Sequence, residues 1–320
     1  MDIKGFTYGY AGKRGDFRSP GAVKSQELLY GVGINWLCLA VVNRQKNFFS
    51  TDISFDYAAT PTDGDIAFAV GKARERGIKV CLKPMLNSAD GMWRAYIGFP
   101  DLNMRGVDVY WGEWFKSYSA FMSHYAELAE ELQCEMLCVG CEMSGTERKE
   151  DYWRELIEKI RSVYSGALVY NVNHHREETL AWWDVLDYIG TSAYYQVGVN
   201  GAERGKMLAE WEKVRAGLAA LSEKAGKRLV FMEIGCRSAK GCSSMPWDFS
   251  HKEFPFSEDE QADFYETCLD VFMKEPNFAG VFWWDWSTFI YDTEEEAKRD
   301  LGFNIHLKKA ETVVREKYAE

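Results

Sequence analysis

Eight short apolar runs, each the length of one strand, alternate along this chain with longer amphipathic stretches. The runs are Phe6–Gly9, Ile34–Val42, Lys79–Leu86, Met136–Met143, Leu168–Asn173, Tyr188–Tyr195, Leu229–Gly235 and Gly280–Trp286. Such alternation predicts strands joined by crossover helices in a parallel sheet. The runs are apolar nearly end to end, as strands covered on both faces are. A count of eight closes the sheet, so the expected fold is α/β: one (β/α)8 barrel over residues 1–320. A doubly wound open sheet is the alternative. No G-x-G-x-x-G follows the first run, so the dinucleotide-binding form of that fold lacks support.

Helical patterns fill the intervals. Asp65–Arg76 ends at Gly77, a residue that can take the left-handed turn closing a helix. Trp114–Leu132, Asp151–Tyr164, Gly205–Ala225 and a stretch near Leu307–Tyr318 carry apolar residues at helical spacing. Ser257–Met273 opens with Ser257-Glu258-Asp259-Glu260, the spacing of a capping box.

Composition narrows the function. Lys and Arg total 38 and Asp and Glu 49, a net charge of −11 that repels nucleic acid and anionic membranes alike. No run approaches the ~18 apolar residues of a membrane span. The start, Met1-Asp2-Ile3-Lys4-Gly5-Phe6, lacks a basic region followed by an apolar one, so a cytoplasmic location is expected. The eight cysteines fall mostly inside apolar runs, and reduced thiols are expected. Cys138 and Cys141 form a C-x-x-C in a strand-like run, where positions three apart face opposite ways, and no second ligand pair follows. Aromatic residues reach 15%, with 12 Trp and 17 Tyr. Such a surplus of flat apolar faces suits contact with sugar rings.

In a barrel, chemistry gathers where the strands end. The runs end in Lys83 and Asn87, Glu142, Asn173 with His174 and His175, Tyr194 with Tyr195 and Gln196, Glu233, and Trp283 with Trp284 and Asp285. Glu142 and Glu233 are each the sole charge of an otherwise apolar run, and a carboxylate there needs partners to offset desolvation. A rim ion pair with Lys83 or Arg237 would satisfy one of them. Two of them, ending the fourth and seventh strands, face each other across an eight-stranded mouth.

Paired carboxylates about 5–5.5 Å apart suit retaining glycoside hydrolysis. The two roles need different environments. Glu233 is read as the nucleophile, held ionised by a Tyr hydroxyl, Tyr194. Glu142 is read as the acid/base, its pKa raised by the charge on Glu233. Strand neighbours alternate, so one of Trp283 and Trp284 faces the mouth and the other packs under helices, and Trp284 is favoured for the mouth. Trp93, Trp111 and Trp247, placed in loops, are read as sugar contacts or loop anchors, and Trp182 and Trp183 as packing. His174 is read as a substrate hydrogen-bonding group or a structural one. His174 and His175 lack the further spaced ligands that a metal needs, so no metal is expected.

Several segments carry a resemblance. They are Leu82-Lys83-Pro84 with Asn87; Asp90-Gly91-Met92-Trp93-Arg94; Trp114-Phe115-Lys116-Ser117-Tyr118; Gly140-Cys141-Glu142-Met143 with Thr146-Glu147-Arg148; Met232-Glu233-Ile234-Gly235-Cys236; and Phe282-Trp283-Trp284. In order and spacing, from about Gly5 to Trp286, the chain resembles the β-mannanases of glycoside hydrolase family 113, within clan A. The resemblance implies retaining hydrolysis of β-1,4-mannosidic bonds in mannan or manno-oligosaccharides without a cofactor. It implies Glu142 as acid/base, Glu233 as nucleophile and Trp284 as the platform at the cleavage point. Lys83, Asn87, Asn173 and Tyr194 would be hydrogen-bonding wall residues. Most clan A enzymes place Asn before the acid/base to bind the sugar 2-hydroxyl; this chain has Cys141, so another residue takes that part. The competing readings are another clan A β-glycosidase (β-mannosidase, β-glucosidase or xylanase), a non-catalytic carbohydrate-binding barrel, and a metal-dependent hydrolase using His174 or His175.

Overall fold

The computed structural model describes residues 1–101 and 108–320. Eight parallel strands close into a barrel in sequence order: β1 (Ile3–Tyr8), β2 (Trp36–Gln45), β3 (Lys79–Ser88), β4 (Met136–Cys141), β5 (Ala167–Asn173), β6 (Tyr188–Ser192), β7 (Arg228–Ile234) and β8 (Phe278–Trp286). The outer ring comprises α1 (Pro20–Tyr30), α2 (Asp63–Glu75), α3 (Val109–Glu131), α4 (Glu150–Arg161), α5 (Arg204–Ala225), α6 (Glu258–Phe272), α7 (Glu294–Arg299) and α8 (Lys309–Ala319). Among the described residues, no helix is long and apolar enough to cross a membrane.

The eight apolar runs are the eight strands, with ends shifted by a few residues. Their burial explains why they lack alternation. Cys38, Cys81, Met136, Cys138, Val169, Val230 and Phe282 belong to a cluster separate from the one formed with the helices, which includes Leu37, Leu39, Leu137, Val139 and Phe231. Each strand thus meets apolar groups on both sides.

The helix α1 has no counterpart among the stretches read from sequence. Its start is nevertheless coded locally: Ser19 accepts from the Ala22 N–H and Pro20 stands in the first turn. Trp111 does not lie in a loop. It is in the first turn of α3, fully buried, with its indole donating to Asp101 Oδ1 at 3.1 Å, so it packs and makes no rim contact.

The C-x-x-C reading also needs correction. A register shift between Cys138 and Cys141 breaks the two-residue alternation of β4. Both thiols consequently fall in barrel-interior layers, Cys138 beside Cys38 and Cys81, and Cys141 higher up with Ala40, Val42 and Met85. Gly140 makes this possible, because a Cβ there would meet the rings of Tyr170 and Trp153 at 2.7 and 2.9 Å. All eight cysteines are buried and none forms a disulfide.

At the start of α6, Ser257 accepts from the Glu260 N–H, which is half of the expected box. The Glu260 carboxylate turns away to Gly241 N and Ser243, bracing the long loop after β7.

Gly280 joins β8 to β1 at a φ of 149°, and a Cβ on it would lie 1.9 Å from the carbonyl oxygen of Ile3. The Gly280→Ala protein should lose ~3 kcal/mol or more of stability, measured by chemical denaturation, because strain and overlap add.

Candidate active site

The carboxylates of Glu142 and Glu233 come to the same end of the barrel through different backbones. Glu233 lies within β7, where the register shifts against both β6 and β8. Glu142 follows the last residue of β4 and adopts a left-handed φ of 54°, fixed by its N–H donating to the Asn171 carbonyl at 2.7 Å. Such a conformation costs of order 1–3 kcal/mol in a non-glycine residue and is kept where surrounding structure demands it.

Glu233 is 3% exposed and surrounded by donors. Its Oε1 accepts from Lys83 Nζ at 2.5 Å, from Asn171 Nδ2 at 3.1 Å and from the Cys141 thiol at 3.2 Å. Its Oε2 accepts from the Tyr194 hydroxyl at 3.3 Å. Burial alone would raise the pKa of this carboxyl. The cations Lys83 and Arg94 and the hydrogen bonds outweigh it, and the group is held below the usual glutamate value.

Glu142 has the opposite balance. Its Oε2 meets Arg94 Nη2 at 3.3 Å and the Trp93 indole N–H at 3.4 Å. Burial first, and then the charge on Glu233, push its carboxyl up, and Arg94 only partly opposes them. The pocket therefore favours an ionised Glu233 beside a Glu142 that keeps its proton to higher pH.

Arg94 links the two. Besides Glu142, it donates to Asn87 Oδ1 at 2.8 Å and lies 3.8 Å from Cys141 Sγ. Asn87 in turn donates to the Tyr10 hydroxyl at 3.3 Å. The Tyr10 ring meets Trp284 edge-on at 4.6 Å between centroids, beneath the half-buried indole. Trp283 faces the other way, stacked on Tyr265 at 4.0 Å with its N–H donating to the Tyr318 hydroxyl. Trp284 is thus the one at the mouth.

The remaining positions divide. Lys83, expected as a wall residue, is 0% exposed with its ammonium on Glu233, so it props the carboxylate rather than facing solvent. The rim ion pair weighed as the structural alternative for Glu233 is present, inside the same constellation. Arg237 instead pairs with Asp248. Asn173 donates to Ser144 Oγ at 3.0 Å, close to Glu142 in the chain. Trp93 is 47% exposed at the rim. His174 stacks on Trp247. Trp182 and Trp183 are buried, donating to the carbonyls of Glu147 and Glu177.

Sequence reasoning assigned no role to Asn171, Arg94 or Tyr10. Asn171 had one signal, an amide in the middle of the otherwise apolar Leu168-Val169-Tyr170-Asn171-Val172. Arg94 and Tyr10 lie outside the strands; Arg94 stood only as the last residue of a segment that carries the resemblance, and nothing local marks Tyr10. Asp285, at the end of β8, has no side-chain partner among the described residues, and burial, with Asp300 and Glu233 nearby, pushes its carboxyl up to about 7. Among the described residues, no group of three or more His, Cys, Asp or Glu gathers as a metal would require.

The profile of glycoside hydrolase family 113 matches residues 6–308. The chain belongs to this family. Three solved structures of family 113 β-mannanases superpose on this member throughout. One, a β-1,4-mannanase complex, is 33% identical with a TM-score of 0.91, all of both chains being covered. The Alicyclobacillus acidocaldarius β-mannanase AaManA, solved with ManMIm, is 36% identical with a TM-score of 0.90, covering 99% of this chain and 97% of that one. The Faecalibacterium prausnitzii β-glucuronidase shares the barrel alone, at 15% identity and a TM-score of 0.64 over half of its own length. No curated protein matches this family 113 chain by sequence.

Because the charge on Glu233 helps raise the pKa of Glu142, neutralising it should reverse part of the shift. In Glu233→Gln, carbon-13 NMR of Glu142 should show titration at lower pH than in the parent protein. An unmoved or higher value would mean that the two groups do not share a field.

Proposed function

We propose that this chain is a retaining glycoside hydrolase cleaving β-1,4-mannosidic bonds in mannan or manno-oligosaccharides. The observation that carries the proposal is the pair of buried carboxyls at one end of the barrel, Glu233 ringed by Lys83, Asn171, Cys141 and Tyr194, and Glu142 on Arg94 and Trp93. Family membership and the β-mannanase neighbours supply the substrate class.

In this reading the ionised Glu233 attacks the anomeric carbon while Glu142 gives its proton to the departing glycosidic oxygen. The product is a glycosyl ester on Glu233. The charge on Glu233 is now gone, so the raised affinity of Glu142 relaxes and it can take a proton from water. That water attacks the anomeric carbon from the opposite face and frees Glu233. Tyr194, Asn171 and Lys83 orient the nucleophile through the hydrogen bonds already described, and Trp284 floors the ring being cleaved. The pH dependence has a definite sign. Activity rises as Glu233 loses its proton, below the usual glutamate range, and falls as Glu142 loses its own, above that range.

The decisive variants are Glu233→Ala and Glu142→Ala, each expected to slow hydrolysis of mannohexaose ~1000-fold or more. Added azide should restore Glu233→Ala with a mannosyl azide of anomeric configuration opposite to the substrate. The same reagent should give Glu142→Ala a product with the configuration of the substrate. Near-normal turnover in either variant, or azide products of the reverse pattern, would refute the assignment.

A further inference from the structure

Trp247, on the loop between β7 and α6, is 41% exposed yet held from two sides. Its ring stacks on His174 at 5.5 Å between centroids and 22° between planes. His174 follows the last residue of β5 and packs in turn on Tyr195 at 5.9 Å. The next residue in the loop, Asp248, is gripped by Arg237 at 2.6 Å with both side chains under 10% exposed. The same carboxylate accepts from Ser250 and meets His251, closing a turn. Burial first, then the neighbouring His175, lower the His174 pKa to about 4, so the imidazole is uncharged near neutral pH.

Holding an indole rigid and leaving its face in water is unfavourable twice over: apolar area stays hydrated and rotamer freedom is lost. An indole fixed in this way with one face open offers a ligand a flat apolar surface to cover. The chemistry that covers an indole face without charge is the C–H face of a sugar ring. The direction follows from strand order. The neighbour of β5 is β4, and β4 leads into Glu142, the residue assigned to protonate the leaving oxygen. Sugar units beyond that oxygen therefore pass over the β4–β5 side of the mouth, where His174 and Trp247 stand. Trp93 stands apart from this pair, its indole N–H tied to Glu142 itself.

We propose that Trp247, backed by His174, is the stacking platform for a pyranose ring on the leaving-group side of the bond being cut. The proposal rests on the functional reading above and adds to it which part of the chain is gripped beyond the cleaved bond. Trp247 touches no reacting atom, so its effect must depend on substrate length.

The test compares the parent protein with Trp247→Ala and Trp247→Phe. Mannopentaose is hydrolysed in oxygen-18 water, which shows the bond cut in each molecule, and β-mannobiosyl fluoride serves as a substrate whose leaving group is too small to reach the platform. Trp247→Ala should raise KM for mannopentaose about tenfold and reduce the share of cuts that leave two or more units on the leaving-group side. Its kcat/KM on the fluoride should match the parent, and Trp247→Phe should recover most of the pentaose affinity. Unchanged KM and cutting pattern would overturn the proposal. So would an equal loss on both substrates, because a platform acts only on chains that reach it. A parent protein that cleaves neither substrate would instead overturn the functional reading, and the platform with it.

Discussion

The enclosed contact between Lys83 and Glu233 sets the terms for everything around it. Both side chains are withdrawn from solvent, and moving two such ions out of water costs several kcal/mol each. Their attraction repays this only with good geometry and with the remaining oxygens satisfied. Asn171 from β5, the thiol of β4 and the tyrosine after β6 complete the set. Five strand ends must converge for the pair to be tolerated, and only a closed barrel brings them together. The fold is thus a precondition of the charge, not merely its carrier.

From that pair the asymmetry of the pocket follows. One carboxylate absorbs most of the available donors, and its neighbour keeps a guanidinium, an indole and the Ser192 hydroxyl. Glu142 therefore experiences the field of Glu233 more than it is compensated by Arg94. Two chemically identical side chains acquire different proton affinities, and the slightly more exposed one, Glu142, is the one whose affinity is raised. The backbone supports this division. A strand residue fixes the ionised partner, and a strained turn lifts the other over the mouth.

The sequence made legible what is periodic or solitary. Strands buried on both faces leave long apolar words, and a lone glutamate ending such a word stands out because nothing nearby can neutralise it. That one of Trp283 and Trp284 faces the mouth was legible because neighbours on a strand alternate, and the contacts of Trp283 with Tyr265 and Tyr318 decide which. Four kinds of feature stayed hidden. Cys141 points inward because a register shift interrupts the alternation in β4, and a bulge has no distinctive spelling beyond a glycine. Arg94 and Tyr10 arrive from loops whose path depends on tertiary contacts. Trp111 lies in a stretch where the helical pattern begins earlier than its apolar spacing suggests, so a packing residue resembled a rim residue. The role of Lys83 depended on reach, which a linear reading cannot measure.

The long segment after β7 is fastened by Glu260 from α6 and by Arg237 through Asp248, and neither attachment shares an atom with the donors around Glu233. Mechanical support and bond-making chemistry therefore have separate foundations in this barrel. Changes to the length or tip of that segment can alter which polymers are accommodated while the proton-transfer machinery stays as it is. A lineage built on this plan can drift in diet without first losing its catalyst.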